Sequence, residues 1–259
     1  MCFPHSELLT NDLFQRYSVG PIMTDFYTRL APYYDQMYGH LDYEGNTQKL
    51  HAIIQQYKKS EGIRWLDVAC GTGTHILHLM DKYDAMGFDL SNEMLAIARE
   101  KCPNIEFVQG NMTSFNLGTK FDIVTCLFGS IGYLTKEEDL EQAINTFSEH
   151  TKHNGVVIIE PMFTKETVRD VSMGLICLDL PETKIVRSNR SRREGDIVYL
   201  DFHFLITTPE NGTEHFVDPS PMAAFPRDTF LSLMKKSGLS AQFVEPGLMK
   251  EGLFIGIKE

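Results

Sequence analysis

Between residues 63 and 160 the chain alternates short apolar runs with stretches whose apolar positions recur every three or four residues. The runs at 63–68, 85–89, 105–108, 121–127 and 155–160 predict strands, and the stretches at 75–82, 92–101 and 136–151 predict helices. Ser91 or Asn92 and Thr135 are placed to cap two of those helices. Alternation of this kind predicts an α/β architecture with a doubly wound parallel sheet. Beyond residue 160 the period drops to two. Residues 174–180, 184–191, 198–207 and 213–218 predict antiparallel strands, with turns at Arg193-Glu194-Gly195-Asp196 and Glu210-Asn211-Gly212. In the third of them Val198, Leu200, Phe202, Phe204 and Ile206 share one face, while Tyr199, Asp201 and His203 share the other. A helix at 227–237 and strands at 241–245 and 252–257 end the pattern. The first sixty residues are helical in character, rich in tyrosine, and broken at Pro32 and Gly39. The expected organisation is a helical cap over 1–60, a core over 61–163, an antiparallel β insertion over 164–225, and a helix and strands over 226–259 that complete the core sheet.

Charge and cysteine content narrow the function. A formal net charge of −11 argues against a general nucleic-acid binder, whose footprint is basic. The five cysteines (Cys2, Cys70, Cys102, Cys126 and Cys177) are widely spaced with no C-x-x-C pair, which reads as reduced thiols in the cytoplasm. No apolar run is long enough to span a bilayer, so no membrane partner is expected. His75 and His78 sit three apart on a helix without an identifiable third ligand, so no metal is expected.

The chemistry concentrates at 65–75, Trp65-Leu66-Asp67-Val68-Ala69-Cys70-Gly71-Thr72-Gly73-Thr74-His75. A strand there runs through two glycines into a helix, and glycine lets backbone lie against a ligand. The frame lacks the third glycine of G-x-G-x-x-G. An acidic strand residue followed by x-x-x-Gly-x-Gly instead resembles the first motif of class I S-adenosylmethionine (SAM) methyltransferases. Asp89 ends the second strand, where a carboxylate can accept from a ribose diol. After the third strand, Asn111 can reach an adenine amine and Met112 can pack on its ring. The fourth strand runs into Ser130-Ile131-Gly132-Tyr133-Leu134, at the carboxyl ends where ligands of such sheets bind.

Together with Ser91-x-x-Met94-Leu95-x-x-Ala98-Arg99, Gln109-Gly110-Asn111-Met112, Val156-Val157-x-x-Glu160-Pro161, Arg193-Glu194-Gly195, His203-Phe204, His215-Phe216 and Gly252-Leu253-Phe254, these segments resemble bacterial aminosugar N,N-dimethyltransferases, which methylate the amine of TDP-linked deoxysugars in macrolide biosynthesis. The resemblance implies a class I, Rossmann-like fold with SAM as cofactor, bound by Tyr34, Asp67, Ala69, Gly71, Gly73, Asp89, Leu90, Asn111, Met112 and Leu127. It implies an acceptor site at Tyr27, Tyr43, Tyr133, Glu160, Met162, Phe163 and Glu251, and a homodimer. Tyr133, His203 and His215 are the candidates for orienting the acceptor amine or taking its proton. Small-molecule N-methylation is the leading expectation. Methylation of a hydroxyl or carboxylate comes second, and a SAM-binding protein without catalysis third. Glu251 stands where the family carries a basic residue. A carboxylate would repel a diphosphate, so the acceptor is expected to be a small amine that need not carry a nucleotide; Arg187, Arg190, Arg192 and Arg193 remain available for phosphates.

Overall fold

The computed structural model describes residues 24–249 and 251–259; the first part of the expected cap, with Cys2, lies outside them. Two 3-10 turns, Asp25–Tyr27 and Ala31–Tyr33, lead into helices α1 (Tyr34–Tyr38) and α2 (Tyr43–Tyr57). Then follow β1 (Arg64–Val68), α3 (Thr74–Leu79), β2 (Asp84–Asp89), α4 (Asn92–Lys101), β3 (Glu106–Gln109), β4 (Phe121–Gly129), α5 (Glu137–Glu149) and β5 (Thr151–Pro161). The insertion contributes β6 (Met173–Asp179), β7 (Lys184–Glu194), β8 (Ile197–Thr208), β9 (Gly212–Asp218) and β10 (Pro221–Ala223). The chain returns through α6 (Arg227–Lys236), β11 (Leu239–Val244) and β12 (Leu253–Lys258).

Among the described residues, seven strands form one sheet in the order β11-β12-β5-β4-β1-β2-β3. β1 to β5 run parallel, while β12 pairs antiparallel with β5 and with β11. The chain steps outward from β1 to β3 and then crosses to β4 on the other side of β1. That reversal opens a crevice beyond the carboxyl ends of β1 and β4, where ligands of such sheets bind. Both faces are covered, and so β4 almost throughout, and β5 from Gly155 onward, are buried continuously instead of alternating. Leu66, Val68, Val124, Val157 and Ile159 pack on α5 and α6; Trp65, Ile123, Val156 and Ile158 pack towards α2, α3 and α4.

The insertion folds as a second sheet, β10-β8-β7-β6, with β9 also paired to β8. Strand β10 has only three residues, too few for an alternating pattern to show, which is why the sequence did not reveal it. The inner face of β8 (Val198, Leu200, Phe202, Phe204, Ile206) closes on Phe26, Leu30 and Met37, so the cap and the insertion share one hydrophobic cluster. The outer face of β8 meets solvent. No helix among the described residues is long and apolar enough to cross a membrane.

Candidate active site

The loop after β1 sets the first half of the site. Ala69 (φ 58°), Gly71 (φ 56°) and Gly73 (φ 74°) all take left-handed backbone conformations. The loop therefore coils tightly between strand and helix, and a β-carbon on Gly73 would come 3.2 Å from that of Ala98. Asp89, at the end of β2, steadies the coil: Oδ2 accepts from the Gly71 N–H at 2.8 Å and Oδ1 from the Ser91 N–H at 2.8 Å. Burial raises the Asp89 carboxyl while these N–H groups pull it down. Ser91 caps α4 by accepting from the Met94 N–H, and it donates to the Tyr27 carbonyl at 2.5 Å, which ties the cap to the sheet.

Beyond these strand ends lies an open pocket of about 850 Å³, its solvent mouth included. Ala69, Gly71, Asp89, Leu90, Asn111 and Met112 line it, together with Tyr27, Tyr34, Phe128 and Tyr133. It continues into a smaller space of about 380 Å³ bounded by Tyr34, Tyr43, Asp67, Thr72, His75 and Leu127. Asp67 is 1% exposed, and its Oδ1 accepts from Thr125 at 2.6 Å. Its Oδ2 is buried without a partner, and burial pushes the carboxyl up to about 7. A cationic group in this space would satisfy that oxygen. His75, half-buried beside Tyr43, is lowered by desolvation to about 4 and stays neutral.

A third space, of about 340 Å³, opens on the other side of Tyr27, Tyr34, Phe128 and Tyr133 and is roofed by Leu200, Phe202 and Met222 from the insertion. The Tyr27 and Tyr133 hydroxyls lie 2.7 Å apart in its wall. Burial raises both phenols, Tyr27 well above its usual range and Tyr133 up to about 12. Both are neutral hydroxyls at physiological pH. Behind the wall Arg187 stacks between Phe202, Tyr38 and Phe26, with Nη1 donating to the Tyr38 hydroxyl at 2.9 Å.

A family model described as a methyltransferase domain matches residues 66–155. The dTDP-3-amino-3,6-dideoxy-alpha-D-glucopyranose N,N-dimethyltransferase of Streptomyces fradiae is 32% identical over 243 residues, 93% of this chain and 94% of that protein. The chain is a class I SAM-dependent methyltransferase of the dTDP-aminosugar N,N-dimethyltransferase family. Its fold agrees with that of Streptomyces venezuelae DesVI at a TM-score of 0.81, with 32% identity over 89% of this chain and 98% of that one. SAM-bound CalS10, an amino pentose methyltransferase from Micromonospora echinaspora, superposes at 0.77 with 26% identity over 89% of this chain and 96% of that one.

Not every expected site residue of the methyltransferase reaches one of these three spaces. Gly73 turns the loop without lining it, and Phe163 packs in the cluster shared by cap and insertion. Glu160 is 1% exposed and lines none of these three spaces. Its Oε2 accepts from the Phe128 N–H at 3.1 Å and its Oε1 from the Met249 N–H at 2.9 Å, so it braces the turn after β4. His203 and His215 do not face Tyr133. Both project from the outer face of the insertion sheet, exposed and stacked on each other, with 3.2 Å between Nδ1 and Nε2. The alternation of β8 turns Phe202 and Phe204 inward and so turns His203 out. Glu251 lines none of these three spaces, and its Oε2 is buried without a partner. Arg192 and Arg193 engage Glu194, Asp201, Asp196 and the Gly195 carbonyl around the β7–β8 turn.

Sequence reasoning missed Phe128, Tyr38 and Asp218. Phe128 has φ 56° and borders all three spaces; only the bend between a strand and a glycine hinted at it. Asp218 accepts from the Phe26 N–H at 2.6 Å, a contact across 192 positions that no local pattern encodes.

Proposed function

We propose that the methyltransferase dimethylates the amine of a dTDP-linked aminodeoxysugar. The observation that carries this reading is the Tyr27–Tyr133 hydroxyl pair, set in an aromatic chamber that shares its wall with the cavity at the strand ends. The likeness to the Streptomyces fradiae enzyme, named for a dTDP-linked 3-amino sugar, spans cap, core and insertion together. Residues 61–163 and 226–259 then form the SAM-binding body, 164–225 the acceptor roof and 1–60 the cap. Asp89 would hold the ribose and Asn111 and Met112 the adenine, with Ala69, Gly71, Leu90 and Leu127 alongside, and Asp67 and Tyr34 would meet the amino end. The orphaned Oδ2 of Asp67 fits a cationic amino group, which supports SAM at this place.

Bound SAM supplies a methyl group already activated on a sulfonium. The chain's task is to place the nucleophile about 3–3.5 Å away, an orientation effect that supplies about 7–11 kcal/mol. A neutral phenol oxygen of the tyrosine pair accepts from an amine N–H and so turns the nitrogen lone pair out of the wall. Tyr34, Tyr38, Phe128 and Met162 surround the same space, and aromatic faces stabilise the positive charge that nitrogen gains. The chamber lining contains no histidine, lysine, aspartate or glutamate. A hydroxyl acceptor would need a base during transfer, whereas an amine that arrives neutral would not, which favours nitrogen.

The enzyme acts in the cytoplasm as a homodimer. Free Cys70, Cys102, Cys126 and Cys177 support the compartment, and the edge strand β6, with Met173, Leu175 and Cys177 exposed on one side, supports self-association. Sedimentation of the purified protein as a monomer would remove the dimer. The function itself is tested by incubating enzyme and SAM with dTDP-aminosugars, the matching free aminosugars, and a hydroxyl panel. Two added methyl groups on the nucleotide-linked amine are expected by mass spectrometry. Transfer only to free amines, or only to oxygen, would overturn the reading.

A further inference from the structure

Lys101, the last residue of α4, points its ammonium at the start of α3. Nζ lies 2.8 Å from Asp35 Oδ2, 3.0 Å from Thr72 Oγ1 and 2.9 Å from Thr74 Oγ1. An ammonium has three protons and no acceptor, so these contacts use its whole capacity. The two hydroxyls donate onward to Asp35 Oδ1, Thr72 at 2.6 Å and Thr74 at 3.4 Å. Each threonine accepts from the lysine and donates to the aspartate, and the ring closes with every donor direction used.

An ion pair with side chains 22% and 38% exposed contributes little to stability by itself. Its position is what sets this one apart. Thr72 and Thr74 line the space around Asp67, and Asp35 belongs to α1, whose Tyr34 and Tyr38 face the acceptor chamber. Whatever fills the Asp67 space lies against Thr72 and Thr74, the two residues whose hydroxyls hold the cap. We infer that Lys101 is a positioning residue, coupling occupancy of the amino-acid end of the SAM site to the seating of α1 over the acceptor. This rests on SAM filling the cavity at the strand ends.

Hydrogen–deuterium exchange with S-adenosylhomocysteine (SAH), joined to steady-state kinetics, separates the two ideas. In the wild type, SAH should slow exchange both at residues 71–74 and at residues 31–42. In Lys101→Met the protection of 71–74 should persist while that of 31–42 is lost. The acceptor KM should rise about tenfold with kcat changed by about twofold at most, the scale of one lost charge-assisted contact. Lys101→Arg, which keeps the charge and several donors, should recover part of both. Should Lys101→Met not fold, Asp35→Asn breaks the same ring from the cap side and should give the same split. Equal SAH protection of 31–42 in the wild type and in the variant would overturn the coupling and leave the SAM site standing. No protection of 71–74 even in the wild type would overturn the SAM site, and the coupling with it.

Discussion

The two walls of the active site are built from different stretches of chain. The wall at the strand ends is made largely of backbone and of neighbours close in sequence: Asp89 accepts from the Gly71 and Ser91 N–H groups, and Asn111 Oδ1 accepts from the Thr113 N–H at 3.0 Å. The acceptor wall is made of side chains drawn together from afar, Tyr27 with Tyr133 across 106 positions and Arg187 with Tyr38 across 149. A backbone cradle constrains few side chains beyond its carboxylates. A chamber of side chains can change its occupant without disturbing the sheet beneath. On the proposed assignment of the two walls, the contrast lets one fold keep its SAM site while its acceptor varies.

Substitutions can break the two walls separately. On the strand-end wall, Asp89→Ala should weaken SAM binding by about 1.5–3 kcal/mol, roughly ten- to a hundredfold, measured by calorimetry. Tyr133→Phe, on the acceptor wall, should lower kcat on the order of tenfold or more, with SAM affinity kept within about twofold. Loss of SAM affinity in Tyr133→Phe would mean the walls are not separable.

Asp67 gives a pH signature of the first wall alone. Its folded value of about 7 lies above the ordinary 3.8, so between those limits the folded carboxyl holds a proton that the unfolded one has released. Its contribution to stability is fully present below about pH 4 and is lost as pH rises through about 7. Binding runs the other way, because a cationic amino group prefers the ionised carboxylate. SAM affinity in calorimetry should therefore rise by up to about tenfold from pH 6 to pH 8, and Asp67→Asn should flatten that profile. At the small end, His203→Ala and His215→Ala should leave kcat and Tm unchanged, since both side chains stand in solvent on the outer sheet face. A fall in kcat for either would show that the outer face takes part in the chemistry.

The same contrast decides what could be read from the sequence. Trp65 to His75, Asp89 and Asn111-Met112 sit at the ends of successive strands, so their order along the chain reports their order in space. Strand periodicity likewise located the insertion, including the apolar face of β8. Periodicity alone did not say which face of that sheet the acceptor meets. The sequence points to His203 and His215 for the chemistry, whereas packing of Phe202 and Phe204 against Phe26 turns His203 outward, where His215 of the neighbouring strand stacks on it. The bracing role of Glu160, which the sequence assigns to the acceptor site, and the place of Phe128 are hidden for another reason. A buried brace and the turn it holds leave no repeat or spacing, only a hydrogen bond between residues 32 positions apart.

The most direct measurement is a crystal structure of the enzyme with SAH and a dTDP-aminosugar. The expected result has the adenosine at Asp89 and Asn111, and the acceptor nitrogen within hydrogen-bonding distance of the Tyr27 or Tyr133 hydroxyl. An acceptor amine lodged outside that chamber, or at the His203–His215 face, would contradict the division of labour between the two walls.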